Sequence, residues 1–257
     1  MVAEHSSVSH APDVSRSDTL LHRARLLVRH LGVDLQRWPP ARHPELNHAK
    51  LLMADQVGVV IDIGAASGSY GSALRRFGFT QRIISLEPLP SSFEQLERRA
   101  LHDPKWTVLN RAIGGESGTV RLNVAGNSDS SSILMISDRH VHASPESATK
   151  ETIVVEATTI QGVIDDLIKP SERIALKLDV QGAESMILDC TPMDRVHIIH
   201  LEQSLIELYV GSTTFDELHQ RLRDGGFELV DLIPGFRDPT TGRLLQFDGT
   251  YRRIDHD

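Results

Sequence analysis

The run Asp62-Ile63-Gly64-Ala65-Ala66-Ser67-Gly68 places a carboxylate, glycines and other small residues where an apolar stretch gives way to an amphipathic one. Small residues at a strand-to-helix turn let the backbone approach a ligand closely. The first N–H groups of the helix that follows can face a polar group held there. Glu87 stands about twenty residues further on, at the end of the next apolar run, where a carboxylate can accept hydrogen bonds from both hydroxyls of a ribose. The spacing Asp-x-Gly-x-x-x-Gly lacks the Gly-x-Gly-x-x-Gly triple that cradles a pyrophosphate, and no Gly-x-x-x-x-Gly-Lys loop is present. A plain tight turn is the bland alternative for the same residues.

The pattern around this turn predicts the elements that must hold it. Residues 1–17 read as a disordered tail. Leu20, Ala24, Leu27, Val28 and Leu31 recur at helical spacing, and Glu45 to Ala54 reads as a second short helix. Residues 18–56 thus look like a helical leader or cap. From Val57 the rhythm changes to β-branched runs alternating with helices. Strands are expected at Val57–Ile63, Arg82–Glu87, Trp106–Asn110, Arg173–Leu178 and Val196–Leu201, with final strands at Phe227–Leu232 and Leu244–Arg252. Such alternation argues for a doubly wound parallel sheet in an α/β domain spanning residues 57–257. Gly118–Val124 and Thr152–Glu156 read as further strands. Residues 126–150, rich in Ser, Asp and His, look too polar for core and long for a connection, so they are expected to be a surface insertion or a lid.

Several segments together resemble the FkbM-type branch of class I S-adenosylmethionine-dependent methyltransferases. They are Val60-Ile61-Asp62-Ile63-Gly64-Ala65, Leu86-Glu87-Pro88, Arg111-Ala112-Ile113-Gly114, Ser131-Ser132-Ile133-Leu134 and, most distinctively, Lys177-Leu178-Asp179-Val180-Gln181-Gly182-Ala183-Glu184. Leu201-Glu202 and Gln246-Phe247-Asp248-Gly249 also fit, so the likeness runs from about Val57 to Arg252. It implies a Rossmann-like sheet of seven strands in the order 3-2-1-4-5-7-6, the last antiparallel. It implies S-adenosylmethionine as methyl donor and a hydroxyl of a sugar, glycolipid or secondary metabolite as acceptor. The cofactor would be held by Asp62, Gly64, Ala65, Ala66, Ser67, Gly68, Glu87, Pro88, Ala112, Ile113, Ser132 and Asp179. One departure stands out: the family commonly has Asn where this chain has Ala66, which touches one side-chain contact rather than the backbone cradle.

Methyl transfer to a hydroxyl needs in-line alignment and a route for the hydroxyl proton. In an open α/β sheet that happens outside the carboxyl ends of the strands. Asp179 and Glu202 end expected strands there, and Asp248 opens the antiparallel one. Asp179, Glu202 and His200 are the candidate catalytic residues, with Asp179 the candidate base. Asp179 and Glu184 have a bland alternative as a charge pair at a helix N-terminus. His197 reads as structural, and His140 and His142 as loop residues that a closing lid could bring in. Asp179, Glu202 and Asp248 could converge with a histidine on a divalent metal, but no spacing of a metal motif is present, and none is assigned.

The bulk composition narrows the alternatives. The chain has 257 residues, a formal net charge of -8 and a single cysteine, Cys190. An acidic chain is a poor phosphate-backbone binder, so nucleic acid is not expected as a partner. One cysteine excludes an internal disulfide and suits a reducing cytoplasm; Cys190 reads as a small buried hydrophobe. No run reaches the roughly 18 apolar residues of a membrane span. Trp38 and Trp106 read as packing residues, and a homo-oligomer stays open. A methyltransferase-like binding protein that has lost activity is the competing class. Dehydrogenase chemistry lacks its glycine loop.

Overall fold

The computed structural model describes residues 43–127 and 130–254, together with Val28 and Pro39. The expected tail, Trp38 and, Val28 apart, the helix expected over residues 18–31 lie outside them. Residues Pro44–Asp257 form one unit. It opens with helix α1 (Pro44–Ala54) and then alternates β1 (Val59–Ile63), α2 (Ser69–Arg76), β2 (Arg82–Leu86), α3 (Pro90–Ala100) and β3 (Trp106–Leu109). After an excursion through β4 (Ala112–Ile113), β5 (Gly118–Ala125), α4 (Asp138–Ala143) and β6 (Thr149–Thr158), the alternation resumes. It runs α5 (Ile160–Leu167), β7 (Ile174–Leu178), α6 (Glu184–Asp189), β8 (Val196–Ser204), α7 (Phe215–Asp224), β9 (Phe227–Pro234) and β10 (Gln246–Arg253).

Seven strands form one sheet in the order β3-β2-β1-β7-β8-β10-β9. Counted within that sheet alone, this is the expected order 3-2-1-4-5-7-6. β10 is antiparallel to both of its neighbours. β1 and β7 are buried along their whole length, as central strands covered by helices on both faces must be. One face packs Ile61, Ile63, Leu176 and Leu178 against Ile160, Val163 and Ile164 of α5. The other packs Val60, Ala175 and Ile198 against Ala49 and Leu52 of α1, Leu74 of α2 and Leu96 of α3. Each such aliphatic side chain contributes about 1.5–3 kcal/mol on burial, so the helices seat firmly and fix the loops at the strand ends.

The second sheet was not anticipated as a unit. It has three strands in the order β4-β6-β5. Its apolar residues Ala112, Leu122, Val155 and Ala157 bury against Leu89, beyond the carboxyl ends of β2 and β3.

Two expectations are corrected. Residues 126–150 are not too polar to be buried, since Ser130, Ser132, His140 and Ser147 all are. Hydrogen bonds hold part of this segment in place: the Ser132 hydroxyl donates to the Gln181 carbonyl at 2.7 Å and accepts from Leu134 N–H at 3.0 Å, and Ser137 caps α4. Cys190 is exposed, not buried. It is the C-cap residue of α6, just past Ile187 and Leu188, which take the buried face. Trp106 does pack as expected. Its indole N–H donates to Ser85 Oγ at 3.0 Å, and its ring lies so close to Gly71 that a Cβ there would meet it at 2.3 Å.

Candidate active site

The turn after β1 is built by glycine. Gly64 has φ +74°, and a Cβ on it would stand 1.8 Å from the Asp179 carbonyl oxygen. Only a residue without a side chain lets the ends of β1 and β7 close in this way. Gly64 and Ala65 both donate their N–H to the Leu86 carbonyl at 3.0 Å, tying the turn to β2 as well. Gly68, φ +84°, stands at the N-cap of α2 without a side-chain cap. Ala66 is also left-handed, with φ 47°, a conformation that asparagine tolerates better than alanine. Its N–H donates to Glu87 Oε2 at 2.8 Å, and Leu89 N–H donates to Glu87 Oε1 at the same distance. Each carboxylate oxygen thereby keeps a lone pair for a ligand hydroxyl. Burial raises the Glu87 pKa, against the pull of those two amides.

The strain at Ala66 has a measurable consequence. An L-residue in this region costs roughly 1–2 kcal/mol, partly offset in glycine by its looser unfolded chain. Ala66→Gly should therefore raise the unfolding free energy by about 0.5–1 kcal/mol in a denaturant titration. A loss of stability would show that the turn is not strained.

A cavity of about 310 Å³ opens along this edge of the sheet. Ile63, Ala112, Ile113, Leu122, Ile133 and Ile187 give it apolar walls. Glu87, Arg111, Ser131, Ser132, Asp179, Gln181 and Glu202 bring polar groups to it. Most of these residues stand at or near the carboxyl ends of β3, β2, β1, β7 and β8 in turn, a stretch of four strand spacings or about 19 Å. Of the expected cofactor residues, Gly64, Ala66, Glu87, Pro88, Ala112, Ile113, Ser132 and Asp179 line it, and Glu202 joins them. Ala65, Ser67 and Gly68 shape the turn without lining it. Asp62 sits behind the wall, fully buried. It faces Lys177 Nζ at 3.2 Å and accepts from Ser85 Oγ at 3.0 Å. The same ammonium donates to the Gly64 carbonyl at 2.9 Å and reaches Asp179 Oδ2 at 3.4 Å. Burial pulls Lys177 down, but Asp62 and Asp179 overcome it and hold the ammonium above the ordinary lysine value.

The carboxyl groups crowd at the β7–β8 end. Burial, with Asp179, Glu184 and Asp248 nearby, pushes Glu202 well above the usual carboxylate range. Burial and Asp179 raise Asp248 to about 6. Glu184 rises to about 7 through burial, although Val180 and Gly182 N–H donate to it. β8 continues past Leu201 to Ser204, so Glu202 lies within a strand and not at its end.

Gln181 was quoted within the most distinctive segment but given no role. Its amide donates to Asp179 Oδ1 at 2.7 Å and to Glu202 Oε2 at 2.9 Å, and its oxygen accepts from Tyr209. Arg111 and Val180 on the wall were quoted within recognised segments but given no role.

His200 lies elsewhere. It is on β8 beneath α1 and α2, with Nδ1 2.9 Å from Thr250 Oγ1 and its ring stacked on Tyr70 at 5.9 Å. It does not line the cavity. Burial, with His48 and Lys177 beside it, holds it well below the ordinary histidine value. His48 meets Tyr70 Oη at 2.7 Å, and burial lowers it to about 4. His140 is buried edge-on to Tyr209, and His142 is exposed. Among the described residues, no group of three or more His, Cys, Asp or Glu side chains could hold a metal ion. No helix among them is long and apolar enough to cross a membrane.

A mixed seven-stranded sheet in this order, with a glycine turn and a carboxylate at the ends of its first two strands, is the fold of a class I methyltransferase. The chain belongs to the FkbM methyltransferase family, whose model, described as Methyltransferase FkbM domain, matches residues 62–229. It is accordingly an S-adenosylmethionine-dependent methyltransferase. No curated protein sequence matches it significantly. Among solved structures it is similar to the Burkholderia thailandensis 1,6-didemethyltoxoflavin-N1-methyltransferase bound to 1,6-didemethyltoxoflavin and S-adenosylhomocysteine. That likeness has 13% identity, covers 98% of this chain and 95% of that one, and gives a TM-score of 0.39. It is also similar to the precorrin-6y C5,15-methyltransferase of Geobacter metallireducens, with 14% identity over 81% of this chain and 88% of that one, TM-score 0.39. The Methanococcus jannaschii fibrillarin pre-rRNA processing protein has 12% identity over 78% and 68%, TM-score 0.45.

Proposed function

We propose that the chain transfers a methyl group to a hydroxyl oxygen of a sugar, a glycolipid or a secondary metabolite, with Asp179 as the base. The observation that carries this reading is the pair of carboxyl groups, Asp179 and Glu202, on the wall of one cavity.

The cavity residues fit S-adenosylmethionine. Glu87 offers two lone pairs to ribose hydroxyls, the apolar wall at Ala112, Ile113 and Leu122 suits a flat purine, and the turn at Gly64–Ala66 leaves room for an amino-acid tail. The cofactor supplies a methyl group already activated on a sulfonium. What remains for the protein is to orient the acceptor and take its proton. Asp179 is half exposed at the mouth, with 41% of its side chain accessible, so it can meet an acceptor hydroxyl. Neighbouring carboxyls also suit a polyhydroxylated ring, whose adjacent hydroxyls donate to them. The net charge of -8 gives no support to a nucleic-acid acceptor. Ala66 keeps the turn and donates its N–H to Glu87, so loss of activity gains no support from that residue.

The test is to incubate the protein with methyl-labelled S-adenosylmethionine and a panel of sugars, glycolipids and polyketide-type alcohols beside their amino analogues. Label recovered as a methyl ether supports the reading. Label found only on nitrogen or carbon would sink it.

A further inference from the structure

We propose that Gln181 is a positioning residue that holds Asp179 and Glu202 together and keeps their negative charge turned toward the cofactor, so that the site favours the sulfonium donor over its neutral thioether product. This rests on the assignment of the cavity as the S-adenosylmethionine site.

The geometry is specific. One amide nitrogen bridges two carboxyl groups, at 2.7 Å from Asp179 and 2.9 Å from Glu202. The amide is oriented from its other side, where Tyr209 Oη donates to its oxygen. Tyr209 is itself fully buried. The backbone is fixed too: Gln181 takes a left-handed φ of 57°, and the buried Ser132 hydroxyl donates to its carbonyl at 2.7 Å. A non-glycine residue held in that region at a ligand cavity is strain kept in place by its surroundings. Gly182, next along, cannot carry a side chain, because a Cβ would meet Tyr209 Cβ at 2.7 Å. Gln246 supplies a second amide to Glu202 Oε2, at 2.8 Å. Donors to a carboxylate stabilise its charged form, and Asp179, Gln181 and Glu202 all line the cavity.

The charged and titratable groups facing the pair are Lys177, which lies 3.4 Å from Asp179, and Glu184, Asp248 and Tyr209. Lys177 is committed to Asp62 and to the Gly64 carbonyl, and the other acids oppose ionisation of Glu202. Gln181 is thus the neutral donor placed against both carboxyls at once. Without it, protonation of Glu202 moves to higher pH. A ligand carrying a positive sulfonium loses affinity when the pair is protonated; one carrying a neutral sulfur does not.

The experiment is calorimetric titration of the full chain with S-adenosylmethionine and, separately, S-adenosylhomocysteine between pH 5 and 9. In the wild type, S-adenosylmethionine affinity should fall at low pH relative to the product. In Gln181→Leu that fall should move up by about one pH unit, the scale of one charge-assisted hydrogen bond. At neutral pH the preference for donor over product should drop about tenfold. Gln181→Asn, which tolerates the left-handed backbone but is one methylene too short to span both carboxyls, should behave likewise. It keeps the test open if the leucine variant fails to fold. Tyr209→Phe should give a smaller shift in the same direction. Parallel loss of both ligands, or wild-type pH curves in folded variants, would overturn the proposal. Failure of the folded wild type to bind either ligand would instead overturn the cofactor site on which it rests.

Discussion

Gly64→Ala should leave a protein that binds no S-adenosylmethionine at concentrations that saturate the wild type. The added Cβ lands 1.8 Å from a backbone oxygen, that of Asp179. No rotamer change can relieve that contact, because neither atom belongs to a flexible side chain. The turn must open, and opening it separates β1 from β7, where Asp179 N–H donates to the Ile63 carbonyl at 3.1 Å. The φ of +74° adds roughly 1–2 kcal/mol of its own. A loss of about 3 kcal/mol or more is expected, which for a domain of this size lowers Tm by about 6–12 °C. Gly115→Ala is the control, since a Cβ there meets nothing within 4 Å. Thermal denaturation and ligand titration check both variants. A Gly64→Ala protein with wild-type melting and binding would mean that the turn does not close as described.

Asp179→Asn should reduce turnover by about 10²–10⁴-fold, the usual contribution of a general base, while affinity for the neutral product S-adenosylhomocysteine changes less than tenfold. The substitution keeps the side chain's shape and an oxygen for Gln181, and removes the ability to take a proton together with the charge that faces Lys177, which is why binding is compared on the neutral product. Turnover is read with the acceptor found by methyl labelling, and binding by calorimetry on the same preparation. A split between the two distinguishes a base from a structural residue. An Asp179→Asn enzyme with full turnover would remove Asp179 from that role.

The main sheet was legible because its central strands are continuous apolar runs that end in acids, and such runs have few other ways to fold. Asp179 and Glu87 were legible for the same reason: each stands at or just past the last buried residue of a strand. The small second sheet was not. Two of its strands were expected, over Gly118–Val124 and Thr152–Glu156, but β4 has only two residues and carries no period, so nothing joined the three. The polar stretch before β6 misled because burial there depends on hydrogen bonds to distant backbone, such as that from Ser132 to Gln181. Gln181 was hidden by the same physics. Its function depends on a left-handed backbone and on a tyrosine 28 residues away. His200 misled because β8 runs on to Ser204, leaving it within the strand and under α1 and α2.

The most direct measurement is calorimetric titration of S-adenosylmethionine into the wild type and Glu87→Ala, with circular dichroism to establish that both are folded. Two hydrogen bonds from ribose hydroxyls to a buried carboxylate are together worth about 3–6 kcal/mol. The wild type should bind at micromolar concentration or below, and Glu87→Ala at least 100-fold more weakly. Equal affinities in two folded proteins, or no binding by the folded wild type, would contradict the assignment of this cavity to the cofactor.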